Sequence, residues 1–316
     1  MFKTGIHHIS QLDGSVSLKS LLGKDRVVSV TLYDQILDFP NADFLAERIL
    51  DCFSDERGVY KRTYANRFEA FDAHLLQMME GQFDPASPMV VADVSVSDGR
   101  TACDLFERLA PRFPRIAHYA SDFSPHVLVL KEGRFTLTLS RKNRILEMMW
   151  PPFVFSAMKP ETPHFYPLNF VLRKFMRRFL AEPLLRKHLA GQAQTREIQL
   201  FSMRALNLVR KDARFHLGEQ NILEPLMLPE PAHLVRSMNV LNPTYFTPAD
   251  LARVVGNFHR ALRPGGWLVA GSNEDAGSVV HGAVYRKTEA GFERIWQSGQ
   301  GLELETHVLS WQAPAK

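Results

Sequence analysis

Cysteine is scarce. Cys52 and Cys103 are the only two in 316 residues, too few for a disulfide framework, a zinc knuckle or an iron–sulfur cluster, and a usage that suits a reducing compartment. Apolar runs stop short of the roughly 18 to 20 residues that span a bilayer, and the opening MFKTGIHHISQLDG lacks the apolar core of a signal peptide. A cytoplasmic protein without a membrane span is expected. Repeats of about 20 to 50 residues and low-complexity segments are missing. So are a Gly-Lys-Ser/Thr phosphate loop and a Gly-x-Ser-x-Gly nucleophile elbow. No carboxylate–histidine spacing marks a metal site: His7 and His8 are adjacent and would point to opposite faces of a strand. No metal is expected.

What is present is the composition of a globular protein, with 45% hydrophobic and 23% charged residues. The length allows one large domain or two of about 150 residues. Lys plus Arg number 38 against 34 Asp plus Glu, a formal net charge of +4, too mild an excess to predict nucleic acid by itself. Distribution says more than the total. In LRKFMRRFLAEPLLRKHL, six cations (Arg173, Lys174, Arg177, Arg178, Arg186 and Lys187) stand against one acid, Glu182. Such a stretch is either a solvated helix face or a surface that meets an anionic substrate, a membrane or a partner.

Three parts follow one another along the chain. Residues 1–87 read as a mostly helical segment carrying FLAERILDCF and RFEAFDAHLLQMM, closed by the prolines at 85 and 88. From Met89 the pattern turns α/β: MVVADVSV is a short β-branched run suited to a strand buried on both faces, TACDLFERLA is helical, and IAHYASD is a second buried strand, so a βαβ unit and a parallel sheet are implied. Between residues 135 and 212 the alternation breaks into a hairpin (FTLTLSRKNRILEMM), proline-punctuated aromatic segments and basic helices, which reads as an inserted subdomain. The α/β pattern resumes from about residue 213 with ARFHLGEQNI, AHLVRSMNVL, the helix PADLARVVGNFHRAL, the turn RPGG and the strand WLVAGS. HGAVYRKTEAGFERIWQSG reads as a hairpin and LELETHVLSW as a final strand.

The sharpest local signal is Asp93-Val94-Ser95-Val96-Ser97-Asp98-Gly99, directly after a strand and opening a helix. In open α/β sheets a ligand sits beyond the carboxyl ends of the strands, and small residues in the first turn let backbone amides approach it. The next strand supplies Asp122, 23 positions past Gly99 (122 − 99), where a carboxylate accepts from ribose hydroxyls in nucleotide sites. A pyrophosphate would meet Asp93 and Asp98 here and lacks a glycine-rich turn. A cationic, phosphate-free nucleoside such as S-adenosylmethionine suits the acidic turn better.

With these residues in hand, the chain resembles the class I S-adenosylmethionine-dependent methyltransferases, and within them the chemotaxis-receptor glutamate methyltransferase branch. DVSVSDGRT stands where the family has its acidic and glycine motif, and YASDFSP is similar to the segment with the ribose-binding acid. ARFHLGEQNIL resembles a strand with an Asn-Leu-type adenine contact, MNVLNPTYF the segment after the fourth strand, and LRPGGWLVAGSNE the Pro-Gly-Gly turn, fifth strand and Ser-x-Glu. The likeness covers roughly residues 89–122 and 213–274. Two motif glycines are serines here, and Met238 stands where the chemotaxis enzymes have arginine.

The resemblance implies a Rossmann-like α/β class I methyltransferase sheet of seven strands, the last antiparallel. Residues 88–134 and 213–316 would form the core, and 135–212 a substrate-side subdomain or lid. It implies S-adenosyl-L-methionine as cofactor. Asp93 would hold its ammonium; Ser95, Ser97, Gly99 and Thr101 would form the loop against it; Asp122 would take the ribose with Phe123 beside it; Asn221 and Ile222 would flank the adenine. Asn239 would sit beside the transferred methyl. Asn242-Pro243-Thr244-Tyr245 is similar to the Asn-Pro-Pro-Tyr of amino-group methyltransferases, which offers Tyr245 to the acceptor, although a proline turn explains it as well. Tyr60, Lys61, Arg62, Tyr64 and Arg67 are candidates for a gate over the cofactor carboxylate, and Trp150, Phe153, Phe165 and Tyr166 for an acceptor pocket. The expected reaction is methyl transfer to an oxygen or nitrogen of a small molecule or a peptide or protein side chain; nucleic acid is not the expected partner. Two alternatives stay open: a non-catalytic S-adenosylmethionine-binding regulator, and an RNA methyltransferase using the basic helices.

Overall fold

The computed structural model describes residues 4–11, 27–36, 39, 42–53, 63, 65–156, 167–243, 245–273 and 278–313. They group into two compact units, one made of Met1–Arg62 and Ser124–Met203 and the other of Thr63–Phe123 and Arg204–Lys316.

Among the described residues the first α-helices in chain order are α1 (Ala42–Cys52) and α2 (Glu69–Gln82). Strand β1 (Met89–Val94) is buried at every position, as an apolar run inside a parallel sheet must be. It leads into α3 (Arg100–Leu109) and then β2 (Ile116–Asp122), which pairs parallel with β1 from Met89↔Ile116 to Val94↔Ser121.

Only residues 123–125 separate β2 from β3 (His126–Glu132). A parallel crossover needs a dozen residues or more, so β3 belongs to another sheet. It begins an antiparallel meander with β4 (Phe135–Leu139), β5 (Ile145–Trp150) and β6 (Phe153–Ser156), and β7 (Thr195–Gln199) pairs on its other edge to give the order β6-β5-β4-β3-β7. The expected hairpin at 135–149 is there. Helix α4 (Pro167–Met176), a π-helical turn (Arg177–Ala181) and α5 (Glu182–Leu189) lie between β6 and β7 in sequence. Their Met176, Ala181 and Leu184 pack with Leu130, Leu137, Leu139, Met148 and Phe155 of the sheet. Alternation along β5 turns Glu147 to the opposite face. There it accepts hydrogen bonds from the Ser29 hydroxyl (2.6 Å) and the Val30 N–H (3.2 Å).

The compact units divide at 62/63, 123/124 and 203/204, whereas the sequence suggested 87/88, 134/135 and 212/213. The shift at 123 follows from the short β2–β3 link. The one at 62 follows from residues 4–11 and 27–36, which join the antiparallel sheet through Gly5 N–H to Pro152 O (2.9 Å) and through the Ser29–Glu147 bond.

The chain then runs through α6 (Met203–Lys211), β8 (Phe215–Glu219), β9 (Ala232–Met238), α7 (Pro248–Ala261), β10 (Leu262–Ser272), β11 (His281–Lys287), β12 (Phe292–Ser298) and α8 (Glu305–Leu309). Seven strands form one sheet in the order β12-β11-β10-β9-β1-β2-β8. From β8 to β10 every neighbour is parallel, and β11 and β12 close it as an antiparallel hairpin. In sheet numbering this is a doubly wound Rossmann-like order, with the strand order reversing between β1 and β9. Thr247 caps α7 in a reciprocal box with Asp250, and the apolar stripe of α7 (Leu251, Val254, Val255, Phe258) packs on Val90, Ala92, Val94, Val235 and Leu268.

Two local expectations change. LELETHVLSW forms a short helix at Glu305–Leu309 in place of a strand, because Leu304 and Val308, four apart, are both buried on one face. Arg263-Pro264-Gly265-Gly266 is a bulge inside β10 rather than a turn before it. Its register against β9 jumps from Leu262↔Ala232 to Trp267↔Leu234, with Gly265 at φ +73°. A Cβ on Gly266 would lie 3.0 Å from the Ala232 carbonyl oxygen.

Candidate functional site

Strand order reverses between β1 and β9, and beyond the carboxyl ends of the strands at such a point a crevice forms in sheets of this kind. The loop after β1 is bent by three left-handed residues at alternate positions: Ser95 (φ 60°), Ser97 (φ 57°) and Gly99 (φ 84°). Only glycine adopts that conformation without cost; a side chain adds about 1–2 kcal/mol. The backbone is thus shaped for glycines, and two of the three positions carry serine.

The loop is fastened to the tip of β2. The Val96 N–H donates to Ser121 O (3.1 Å), and the Ser97 N–H donates to Asp122 Oδ2 (2.8 Å). Asp122 and Phe123 are half-buried. The Gln220 N–H donates to Asp122 O (2.9 Å), which draws in the end of β8. Ser97 Oγ is buried without a hydrogen-bond partner among the described residues. Gly99 starts α3, accepting from the Cys103 N–H (3.0 Å). The Arg100 side chain pairs with buried Asp98 at 3.1 Å.

On the far side of the switch point stands Asn239, also left-handed (φ 59°). Its N–H donates to Gly271 O (2.8 Å), and its amide side chain exchanges bonds with Asn273: Asn239 Oδ1 accepts from the Asn273 N–H (2.9 Å) and Asn239 Nδ2 donates to Asn273 Oδ1 (3.2 Å). Arg67 completes the group, donating from Nε to Asn273 Oδ1 (2.7 Å) and from Nη2 to Asn273 O (2.9 Å). Of the gate residues named from the sequence, Arg67 is therefore tied to the ends of β9 and β10; Tyr60, Lys61, Arg62 and Tyr64 lie outside the described residues. So do Phe165, Tyr166, Thr244 and Glu274.

Asp93 has a different partner from the ammonium expected for it. Alternation along β1 points its side chain onto the sheet face, where its Oδ2 accepts from Arg236 Nη1 at 2.9 Å with His118 Nε2 3.7 Å away. Arg236 is fully buried. Its Nη2 donates to both carboxylate oxygens of Asp72 (3.1 Å each), and its Nη1 also reaches Thr101 O (3.2 Å) in the first turn of α3. Thr101 so enters by its carbonyl. Burial pushes the Asp72 carboxyl up to about 7, with the Arg236 guanidinium pulling the other way. For Asp93 burial also raises, but Arg236 and His118 outweigh it and hold the carboxyl below its usual range. Burial lowers His118, with Asp93 pulling the other way. One guanidinium thereby braces α2, β1, β9 and the start of α3 directly under the loop.

The adenine-side residues also move. Ile222 is buried in the cluster beneath α7, and its carbonyl accepts from Asn257 Nδ2 (2.9 Å). Asn221 builds a local turn, its Oδ1 accepting from the Leu223 N–H (3.1 Å). Neither lines the cleft formed along β1, β2 and β8, and Ser95, Ser97, Gly99, Asp122 and Phe123 do not line it either. That cleft is walled by Val94, Tyr119, Ser121, Gly218, Glu219 and Gln220, among others, with Tyr119 stacked on His216 at 4.7 Å. Tyr245 is 42% exposed. It lines a separate open depression with Phe246, Pro248, Leu304 and His307, and its N–H bonds Asn242 O (3.0 Å) in a simple turn.

The sequence reading missed Arg236, Asp72 and Asn273. A signal existed for the first: an arginine inside the apolar run AHLVRSM must find a buried acid. Nothing local marked Asp72 or Asn273. Among the described residues no group of three or more His, Cys, Asp or Glu could hold a metal, and no helix is long and apolar enough to cross a membrane.

No family profile and no curated protein matches the chain. Solved structures do overlap it. The mitomycin 7-O-methyltransferase MmcR has 12% identity and a TM-score of 0.28 over 78% of this chain and 44% of its own. Human N-acetylserotonin methyltransferase in complex with SAM has 11% and 0.26 over 65% and 37%, and DesVI of Streptomyces venezuelae 12% and 0.31 over 76% and 80%. This chain thus spans less than half the length of the first two. At such scores the overlap carries no weight, and the fold rests on the strand order itself.

Proposed function

We propose that the switch-point crevice binds S-adenosyl-L-methionine and that the chain transfers its methyl group to an oxygen or nitrogen acceptor on a small molecule or a peptide or protein side chain. The observation that carries this reading is the Ser97 N–H bond to Asp122, which presses a loop of glycine-type backbone against a strand-tip carboxylate. Two further observations support it: Ser97 Oγ is buried without a hydrogen-bond partner among the described residues, and the Asp122 carboxylate at the tip of β2 is of the type that accepts from ribose hydroxyls.

When bound, the cofactor supplies a methyl carbon already activated by the positive charge on sulfur. Asp122 then fixes the sugar, the 95–99 backbone approaches the methionine part, and the Asn239–Asn273–Arg67 group holds the opposite rim in place. Such transfer is served mainly by positioning and by excluding water. Arg236 acts indirectly, by fixing the loop's base.

Titration calorimetry with S-adenosylmethionine tests the reading: binding is expected, weakened at least about tenfold by Asp122→Ala, as for a lost charge-assisted hydrogen bond. Heat-silent mixing with folded protein, or equal affinity in the variant, would contradict it. A second reading, binding without transfer, is favoured by the serine side chains at two left-handed positions. It predicts the same heats with no methylated product from any acceptor screened.

A further inference from the structure

The basic segment noted in the sequence finds no use in the crevice. Its helices pack one face on the antiparallel sheet through Met176, Ala181 and Leu184. The opposite face presents Leu168 (49% exposed), Val171 (63%), Phe175 (46%) and Phe179 (62%). Their spacing of three, four and four residues makes one continuous ridge on α4 and the π turn, with the Phe175 and Phe179 rings 5.0 Å apart. Exposed Lys174, Arg177, Arg178 and Arg186 lie along the same helices. Glu182 is the single acid of the segment, and Arg178 already pairs with it at 2.8 Å.

We propose that this ridge docks on an anionic lipid surface, lying flat with its aromatic and aliphatic side chains in the headgroup boundary and its cations on the lipid phosphates. Two chemical features select that occupant. A convex apolar ridge flanked by Lys and Arg is the pattern of an interfacial helix, whereas a peptide partner wants a groove to lie in. A second copy of the chain, paired through the same patch, would bring each cluster of cations against its own image. Negative lipid removes that repulsion and turns it into attraction. The site is independent of the methyltransferase reading.

Co-sedimentation of the full chain with vesicles of equal parts phosphatidylcholine and phosphatidylglycerol, at low and high salt, reads the proposal directly. Binding is expected at low salt, weaker at high salt, and weak to phosphatidylcholine alone. Phe175→Ser with Phe179→Ser, and separately Arg177→Gln with Arg186→Gln, should each weaken it by about tenfold or more, while circular dichroism and melting stay as in the parent because these side chains are exposed. The proposal is overturned if the parent stays in the supernatant with the anionic vesicles, or if the phenylalanine pair can be removed without loss. It is overturned equally if the parent is a dimer in solution that the Phe175→Ser, Phe179→Ser variant turns to monomer, since the ridge then belongs to a second copy.

Discussion

In the seven-stranded unit Asp72 of α2 and Asp93 of β1 share the guanidinium of Arg236; in the antiparallel sheet Glu147 is buried with a serine hydroxyl and a backbone amide for partners. Both solutions satisfy a buried carboxyl, but they do different work. An arginine with fixed donors on two acids and a carbonyl specifies the mutual placement of four elements. Burial raises Glu147 to about 7, as it does Asp72, but against burial Glu147 has only the O–H and the N–H, whereas Asp72 faces a guanidinium. The arginine cluster lies beside the loop of the candidate site, where geometry matters. The hydrogen-bonded carboxyl pins the 29–32 turn to a sheet.

That contrast can be broken from either side. Arg236→Met leaves two buried carboxyls without their cation and should cost the seven-stranded unit about 3–5 kcal/mol, the usual penalty for breaking a buried pair. Chemical denaturation measures it, and a loss below about 1 kcal/mol, the scale of a surface pair, would show the cluster to be incidental. For Glu147 the pH dependence is the readout. The native state keeps its proton up to about pH 7 while the unfolded chain releases it near 4.5. Across that window the native state binds more protons, so stability falls as pH rises, by about 3 kcal/mol in all, and levels off above pH 7. Glu147→Gln should remove this part of the slope and leave the part from Asp72, whose carboxyl is raised over the same range; an unchanged slope assigns all of it to other groups. The smallest effect concerns the loop above Arg236. Ser95→Gly and Ser97→Gly each relieve a left-handed side chain, partly offset by glycine's entropy, and should raise stability by about 0.5–1 kcal/mol. A loss would mean that the serine side chains stabilise the bend.

The elements around the site were legible wherever periodicity spoke plainly. β1, α3, β2, α7 and the β11–β12 hairpin follow from short apolar runs, alternation, apolar stripes and turn residues. The loop 95–99 and Asp122 were legible too, because a strand, a small-residue turn and a strand-end acid form a local pattern. What failed was non-local or ambiguous. Asp93 was assigned to a ligand because the sequence does not reveal that a residue 143 positions away supplies a buried guanidinium. The alternating letters of LELETHVLSW suit a strand as well as the helix that Leu304 and Val308 anchor. Residues 124–134 look like any parallel strand until the three-residue link to β2 is weighed. The Asn239–Asn273–Arg67 bonds join segments up to 206 positions apart, beyond any local pattern.

The central claim concerns the loop and the strand tip it touches. The most direct test is a titration of isotopically labelled protein with S-adenosylhomocysteine, following the backbone amide resonances. The account predicts that Ser95, Ser97 and Gly99 shift together with residues 121–123, and that these shifts vanish in Asp122→Ala. Perturbation confined to the depression around Tyr245 and His307, with the 95–99 amides unmoved, would contradict it.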